Sequence, residues 1–336
     1  MRVGYNPHKD QPQEASAYLH QVVIPVFIPH QQGYFKDSFK IFKLCLESLF
    51  ATCHERTFIT IVNNGSESAI VDYLDGLLKA GKIHELIHTQ NIGKLNAILK
   101  GVVGNDIELV TISDSDVLFL SDWQVETNRV FAAFPKVGVV GIVPQYRTFL
   151  SFSYNLLFDQ FRSSKLKFIP VKNPQALKMF YKSLGWDDNA NPDYLKFSLG
   201  YEADNGLLAY VGSGHFVATY KKQIFDQVTS YIGFKMGGDS ETYLDEIPLK
   251  KDYWRLTTYD NHAYHMGNVY EDWMGEITFN TKRDYEFQSN FKTYGNSSKW
   301  HYHLRHSIFR KFIKSRKFRR LFYRFKGLPA AMIEKY

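Results

Sequence analysis

Four short apolar runs, separated by stretches of helical periodicity, constrain this chain more than anything else in it. Gln21–Phe27, Thr57–Val62, Leu86–His88 and Ile107–Ile112 are each a few residues long, and the longer ones are rich in β-branched side chains. Such runs read as strands buried on both faces. Pro25 suits the end of the first, because proline donates nothing to a ladder. Between the first two runs, Phe39, Phe42, Cys45, Leu46, Leu49 and Phe50 recur at helical spacing, after an Asp37 or Ser38 placed to cap the helix. Further helices are expected over 69–80 and 95–100. Strands alternating with helices predict βαβ units, right-handed crossovers and a mostly parallel, Rossmann-like α/β sheet flanked by helices. The pattern continues with a helix near 123–134 and a strand over 137–143. Residues 146–210 read as irregular, with Asn189-Ala190-Asn191-Pro192 as a loop. Order returns at Leu207–Tyr220, in a helix starting near Asp239 or Ser240, and in a strand at Trp254–Thr258.

Asp114 and Asp116 flank Ser115 directly after the fourth run. The carboxyl ends of strands are where open α/β sheets bind their ligands. Alternation along a strand would put both carboxylates on one side and Ser115 on the other. Two such charges repel by about 4 kcal/mol at ~4 Å and an effective dielectric of about 20. A divalent cation relieves that repulsion, and hard oxygen ligands suit Mg2+ or Mn2+. Alone, the same triplet is more often a polar turn, so its neighbours must decide.

A chain of 336 residues, 44% hydrophobic and 22% charged, can bury a large core. Aromatic residues reach 16%, many of them after residue 145, which provides flat surfaces for stacking or core filling. Cys45 and Cys53 fall within a helical pattern without metal-ligand spacing, as buried thiols in a reducing compartment would. Residues 1–20 form a polar leader without the apolar centre of a signal peptide, and no run has the length of a transmembrane helix.

The net charge of +7 is concentrated in the tail. Ten Lys or Arg and no acid lie between Arg305 and Lys326, leaving 31 basic against 34 acidic residues elsewhere. Leu304, Ile308, Phe312, Phe318, Leu321, Phe322 and Phe325 are interleaved with those cations. That spacing predicts one or two amphipathic helices able to lie on an anionic membrane surface through residues 304–326. The alternative is a tail packed on the rest of the chain with a solvated basic face. No nucleic-acid-binding motif accompanies it. The expected location is cytoplasmic, peripheral on the inner face of the cell membrane.

Taken in order, these segments resemble the inverting family 2 glycosyltransferases with the GT-A fold. Val22–Phe27, containing Pro25 and Val26, is similar to their first strand, and Ile61-Val62-Asn63-Asn64-Gly65-Ser66 to their second strand and nucleotide-binding turn. Asn91-Ile92-Gly93-Lys94-Leu95-Asn96-Ala97 resembles the family's Asn-x-Gly segment, and Asp114-Ser115-Asp116 its Asp-x-Asp motif. Gly212-Ser213-Gly214-His215-Phe216 resembles the small-residue segment before the acceptor helix, and His265 sits where some members place a further metal ligand. The resemblance covers roughly residues 20–270. It implies a leader over 1–20, a nucleotide-sugar half over 21–145, an acceptor and catalytic half over 146–275 and a basic helical extension over 276–336.

The function implied is a metal-dependent hexosyltransferase, moving a sugar with inversion from a UDP-linked donor to a glycan or lipid-linked acceptor in surface polysaccharide synthesis. Asp116, Asp114 and His265 are the implied ligands of Mn2+ or Mg2+. Pro25, Val26, Asn63, Asn64, Asn91, Gly93 and Lys94 are implied on the donor, with Asp114, Gly212, Ser213, Gly214 and His215. Asn63 and Asn64 depart from the acids usual in the family, although an amide offers both donors and an acceptor. For the base, counting forward from Gly238 favours Asp239, and counting back from Trp254-Arg255-Leu256 favours Glu241. Asp245 shares the helical face of Glu241. Two other functions compete. A nucleotidyltransferase would want a Gly-rich loop where Pro25-Val26-Phe27-Ile28-Pro29 stands. A non-catalytic carbohydrate-binding or scaffold protein would be expected to lose the acids, which are present.

Overall fold

The computed structural model describes residues 4–6, 8–12, 14–186, 191–226, 228, 231–233, 235, 240–279, 286–289, 291–294 and 298–336, with the backbone alone at 240, 241 and 299. A ten-stranded sheet in the order β3-β2-β1-β4-β10-β6-β11-β9-β8-β7 organises it. Strand β1 (His20–Val26) is buried throughout and pairs in parallel with β2 (Thr57–Asn63) along its length. Its pairing with β4 (Leu109–Ser113) reaches only to Val23, so Pro25 stands where the strand has lost one neighbour.

Alternation along β1 separates two layers. Val22, Ile24 and Val26 face α1 (Ser38–Thr52), while Val23 faces α3 (Lys94–Val102) with Leu95, Ile98 and Val102. Each fully buried side chain of this kind contributes about 1.5–3 kcal/mol. Helices α2 (Ser68–Lys79) and α4 (Trp123–Ala133) complete the flanks.

Strands β1, β2, β3 (Glu85–His88), β4, β6 (Val137–Gly141), β8 (Phe197–Glu202) and β11 (Trp254–Thr258) run one way. The opposed strands are β7 (Leu166–Pro170), β9 (Leu208–Val211) and β10 (Val217–Lys221). The sheet is therefore mostly parallel in direction, as expected, with β10 inserted antiparallel between β4 and β6 and an antiparallel flank from β9 to β7. A second, two-stranded sheet joins β5 (Val117–Phe119) to β12 (Ala263–His265).

Three expectations are corrected. Residues 146–210 are not irregular: they hold α5 (Tyr154–Asp159), β7, α6 (Pro174–Ser183), β8 and β9. In β7 Leu166 and Phe168 are buried while Lys167 is exposed, so this edge strand lacks the continuous apolar run of β1. Asp37 precedes α1 but caps no helical N–H; its carboxylate accepts from the Tyr270 amide at 3.1 Å. Finally, β4 ends at Ser113 and a turn leads to β5, so Asp114 and Asp116 lie in a connection and not on an alternating strand.

Downstream lie α7 (Ser240–Lys250), α8 (Trp273–Glu276), α9 (Lys299–His303), a π-helical turn at Leu304–Phe309, α10 (Arg310–Lys314) and α11 (Arg316–Phe325). The tail is part of the core. Ile313, Phe322, Tyr323, Leu328 and Tyr336 join the apolar cluster of Phe149, Leu166 and Phe168, and the Phe168 amide donates to the Lys326 carbonyl at 2.8 Å. Among the described residues, no helix is long and apolar enough to cross a membrane.

Candidate functional site

The carboxyl ends of β1, β2 and β4 carry the polar residues singled out in the sequence. Asp114 is fixed by its amide, which donates to the Phe216 carbonyl at 2.7 Å. Lys94, the first residue of α3, reaches across to its carboxylate, with Nζ 2.8 Å from Oδ2 and 2.6 Å from Oδ1. Asp116 ends the turn, and its carbonyl accepts from the Met266 amide at 2.8 Å. That bond extends the β5–β12 pairing, in which His265 stands opposite Val117. His265 Nε2 consequently lies 3.4 Å from Asp116 Oδ2.

The imidazole is oriented from behind. Ser183 Oγ donates to the Phe180 carbonyl at 2.6 Å, so it accepts from His265 Nδ1 at 2.8 Å. A neutral His265 therefore carries its proton on Nδ1 and turns the Nε2 lone pair toward Asp116. An outer hydrogen bond of this type fixes metal-binding histidines. Burial pushes the Asp116 carboxyl up to about 6; His265 pulls it down, Asp114 adds to the rise, and Lys94 opposes it. Its Oδ1 is buried without a hydrogen-bond partner among the described residues.

These features fit a divalent cation. Two donors about 2.1 Å from one ion, at an angle between a right angle and a tetrahedral one, stand roughly 3.0–3.4 Å apart. Asp116 and His265 meet that spacing, whereas Asp114 already faces an ammonium. Among the described residues, no group of three or more His, Cys, Asp or Glu gathers around one position. Two protein ligands suit an ion whose remaining positions belong to phosphate and water.

The two asparagines after β2 knit loops together. Asn63 Nδ2 lies 2.9 Å from His88 Nδ1, and Asn63 Oδ1 accepts from the Ser66 amide at 2.9 Å. Asn64 takes the Ile92 amide on Oδ1 at 2.9 Å and donates its own amide to the Val26 carbonyl at 2.8 Å. Asn91 Oδ1 accepts from the Gly93 amide at 3.2 Å. Gly93 takes φ +90° at the start of α3, a backbone that other residues rarely adopt. Asn63, Asn64, Asn91 and Gly93 thus shape one rim, over buried Pro25 and Val26.

On the other side, Gly212 has φ +94°, and a Cβ there would meet the Thr148 backbone at 2.6 Å. A Cβ on Gly214 would meet Gln145 Nε2 at 2.0 Å. The space these glycines leave is filled by the 145–148 segment. Ser213 is buried, with Oγ donating to the Gly214 carbonyl at 2.7 Å.

Asp245 of α7 has both oxygens engaged. One accepts from the Arg255 guanidinium and the other faces His215 Nδ1 at 3.2 Å. Arg255, 1% exposed, also donates to the Ser213 carbonyl, joining β11, α7 and the glycine segment. Glu241 lies one turn before Asp245 on the α7 backbone. Its side chain, and the whole of Asp239, are outside the described residues.

Three contributing residues are not among the site candidates drawn from the sequence: Ser183, Arg255 and Asn96. Asn96 donates to the Ile232 carbonyl at 2.8 Å and accepts from its amide at 3.0 Å, holding the segment before α7 against α3. Arg255 could have been suspected as a charge inside an apolar strand and Asn96 from its place in the Asn-x-Gly segment, whereas Ser183 carries no such signal.

No family model and no curated protein matches the sequence. Among solved structures, the chain is similar to residues 1–349 of S. aureus TarS in complex with UDP-GlcNAc, at 11% identity and a TM-score of 0.44 over 77% of this chain and 61% of that one. It is also similar to the mannosyltransferase PcManGT from Pyrobaculum calidifontis in complex with GDP-Man and Mn2+, at 14% identity and 0.41 over 74% and 58%. GalNAc-T7 with UDP, GalNAc and Mn2+ aligns at 10% identity and 0.46 over 74% and 43%. The chain thus spans less than two thirds of each. Scores this low say nothing about what the site does; that has to come from its own residues.

Proposed function

We propose that this chain is a glycosyltransferase of the hexosyltransferase type, moving a sugar with inversion from a UDP-linked donor to a glycan or lipid-linked acceptor in surface polysaccharide synthesis. The observation that carries the proposal is the Asp116–His265 pair. It combines an unpartnered buried carboxylate oxygen with an imidazole whose lone pair is aimed beside it by Ser183. Asp116 and His265 would hold Mn2+ or Mg2+, with Asp114 steadied by Lys94 alongside. When bound, such an ion supplies positive charge for a departing diphosphate.

The chain's own groups do the rest. The Asn63, Asn64 and Asn91 bonds keep the nucleotide rim in shape, and Lys94 places a second cation next to it. Asp245, both of its oxygens engaged, orients His215 at the sugar. An acid at the start of α7, Asp239 or Glu241, takes the proton of the attacking hydroxyl as the bond forms. For the acceptor, Trp186 offers a ring 63% exposed, 5.2 Å from Tyr181, which stacks on Tyr146 at 3.8 Å. A flat apolar face of that kind suits a pyranose ring.

Calorimetry with UDP, with and without Mn2+, tests the proposal. The expected result is metal-dependent UDP binding that disappears in Asp116→Asn while the circular dichroism stays unchanged. Failure of UDP to bind the native protein with Mn2+ present, or equal binding by the variant, would overturn it. A screen of nucleotide sugars for hydrolysis or transfer then identifies the donor.

A further inference from the structure

The basic tail has two opposite faces, and only one is covered. Phe322 and Tyr323 of α11 are buried in the core, whereas Leu321 is 62% and Phe325 58% exposed. Just before α11, Ile308 and Phe312 are 41% and 51% exposed. Half-buried Phe318 and Phe161 link the exposed rings Phe312 and Phe325. Phe312 lies 5.7 Å from Phe318, Phe318 stacks on Phe161 at 6.0 Å, and Phe161 stacks on Phe325 at 5.7 Å.

The charges divide the same way. Arg305 pairs inward with Asp159 and Asp252, Arg320 pairs with Glu334, and Lys326 donates to the Gln160 and Ser163 carbonyls. Lys311, Lys314, Arg316, Lys317 and Arg324 are exposed and make no ion pair among the described residues. On α11, Lys317, Leu321, Arg324 and Phe325 recur at helical spacing, which places cations and apolar groups on one side.

We propose that this face docks on an anionic lipid surface, with Ile308, Phe312, Leu321 and Phe325 entering the interface and those five exposed cations meeting headgroups. The charge selects the occupant. A second copy would bring like charges against like, and a nucleic acid backbone offers nothing apolar to cover Leu321 and Phe325. A bilayer boundary supplies both complements, anionic headgroups and acyl chains. The inference is independent of the glycosyltransferase reading, since it rests on no residue of that site.

The test uses the full chain. Deleting the tail would remove Ile313, Phe322 and Tyr323 from the core and confuse docking with unfolding. Flotation is measured with vesicles of mixed phosphatidylglycerol and phosphatidylcholine, and with phosphatidylcholine alone. The native chain should float with the anionic vesicles only. Phe312→Ser with Leu321→Ser and Phe325→Ser should weaken partitioning roughly tenfold or more, given the CH2 groups withdrawn from the interface. Lys314→Gln with Arg316→Gln and Lys317→Gln should weaken it comparably, and high salt should mimic that loss. Thermal midpoints confirm folding; if the apolar triple variant melts early, Leu321→Ser alone replaces it.

Three results would overturn the proposal. One is a native chain that stays in the soluble fraction with anionic vesicles. Another is apolar variants that bind those vesicles as well as the native chain, which would indicate a general polyanion site such as one for nucleic acid. The third is a native dimer in sedimentation that the apolar variant dissociates while vesicles recover neither protein, which would assign the face to self-association.

Discussion

Asp116→Asn should stabilise the metal-free protein while abolishing its response to a divalent cation. Burial raises the Asp116 carboxyl from 3.8 to about 6, so the fold disfavours its ionised form. Raising a carboxyl from 3.8 to about 6 corresponds to roughly 3 kcal/mol. The side chain is 27% exposed, and solvent screening brings that to about 2 kcal/mol. The sign follows from the raised value. Asp116 contributes fully below pH 3.8 and loses that contribution as pH rises through about 6. The variant and native melting curves should therefore coincide in strong acid, separate between those two values and run parallel above them. With about 2 °C per kcal/mol for a chain of this size, the variant should melt roughly 4 °C higher in EDTA near neutral pH. Adding Mn2+ should reverse the order, because only the native site gains the free energy of binding. Differential scanning fluorimetry across pH, in EDTA and in MnCl2, measures all of this. A variant that melts at or below the native protein in EDTA would refute the reasoning, since it would mean that protein groups already satisfy the carboxylate.

Ser183→Ala should lower Mn2+ affinity by about 10–100-fold without unfolding the chain, because His265 loses the partner that sets its tautomer; metal titration followed by intrinsic fluorescence measures it. Arg255→Met should cost about 3–5 kcal/mol in urea unfolding, since it strands the Asp245 carboxylate in a buried place; a loss under about 1 kcal/mol would show that solvent reaches that acid. His20 is buried between Thr111 and Gln124, and burial lowers its pKa to about 3. Its contribution to stability is present above 6.5, the ordinary value, and is lost as pH falls toward 3, where the unfolded chain takes a proton first. His20→Gln should flatten the fall of the melting temperature over that range.

The parts of the fold legible in the sequence are those buried on both faces. Val22, Val23 and Ile24 meet helices above and below, so their run is continuous and its reading as a strand follows directly. Strands β7 and β8 bury side chains less uniformly, and nothing in residues 146–210 was continuous enough to reveal them. At the site, Asp114 and Asp116 announce themselves as charges after an apolar run, but their geometry does not follow from strand alternation, because a turn intervenes. Ser183 lies 82 residues from His265, and a serine at the end of a helix carries no signal of the imidazole it faces. The tail was legible as amphipathic. Which side turned inward was not, because Phe322 and Phe325 are the same residue type and only tertiary packing separates them.

On the proposed function, the distribution of permanent charge puts the cation beside Asp116 and not beside its neighbours. Asp114 faces the ammonium of Lys94, and Asp245 faces the guanidinium of Arg255. Asp116 faces an imidazole held by Ser183, which is charged only when protonated. With His265 neutral, Asp116 has among the described residues an ionisable oxygen, a buried oxygen without a hydrogen-bond partner and an aimed nitrogen lone pair, but no ion pair with a lysine or arginine. A lysine or arginine there would fill the deficit permanently and leave nothing to neutralise an incoming diphosphate. His265→Lys therefore makes a sharper test than truncation. It should mimic the cation's effect on stability, raising the metal-free melting point, while eliminating the Mn2+ response and metal-dependent UDP binding together. Loss of stability with retention of the Mn2+ response would show that the cation sits elsewhere.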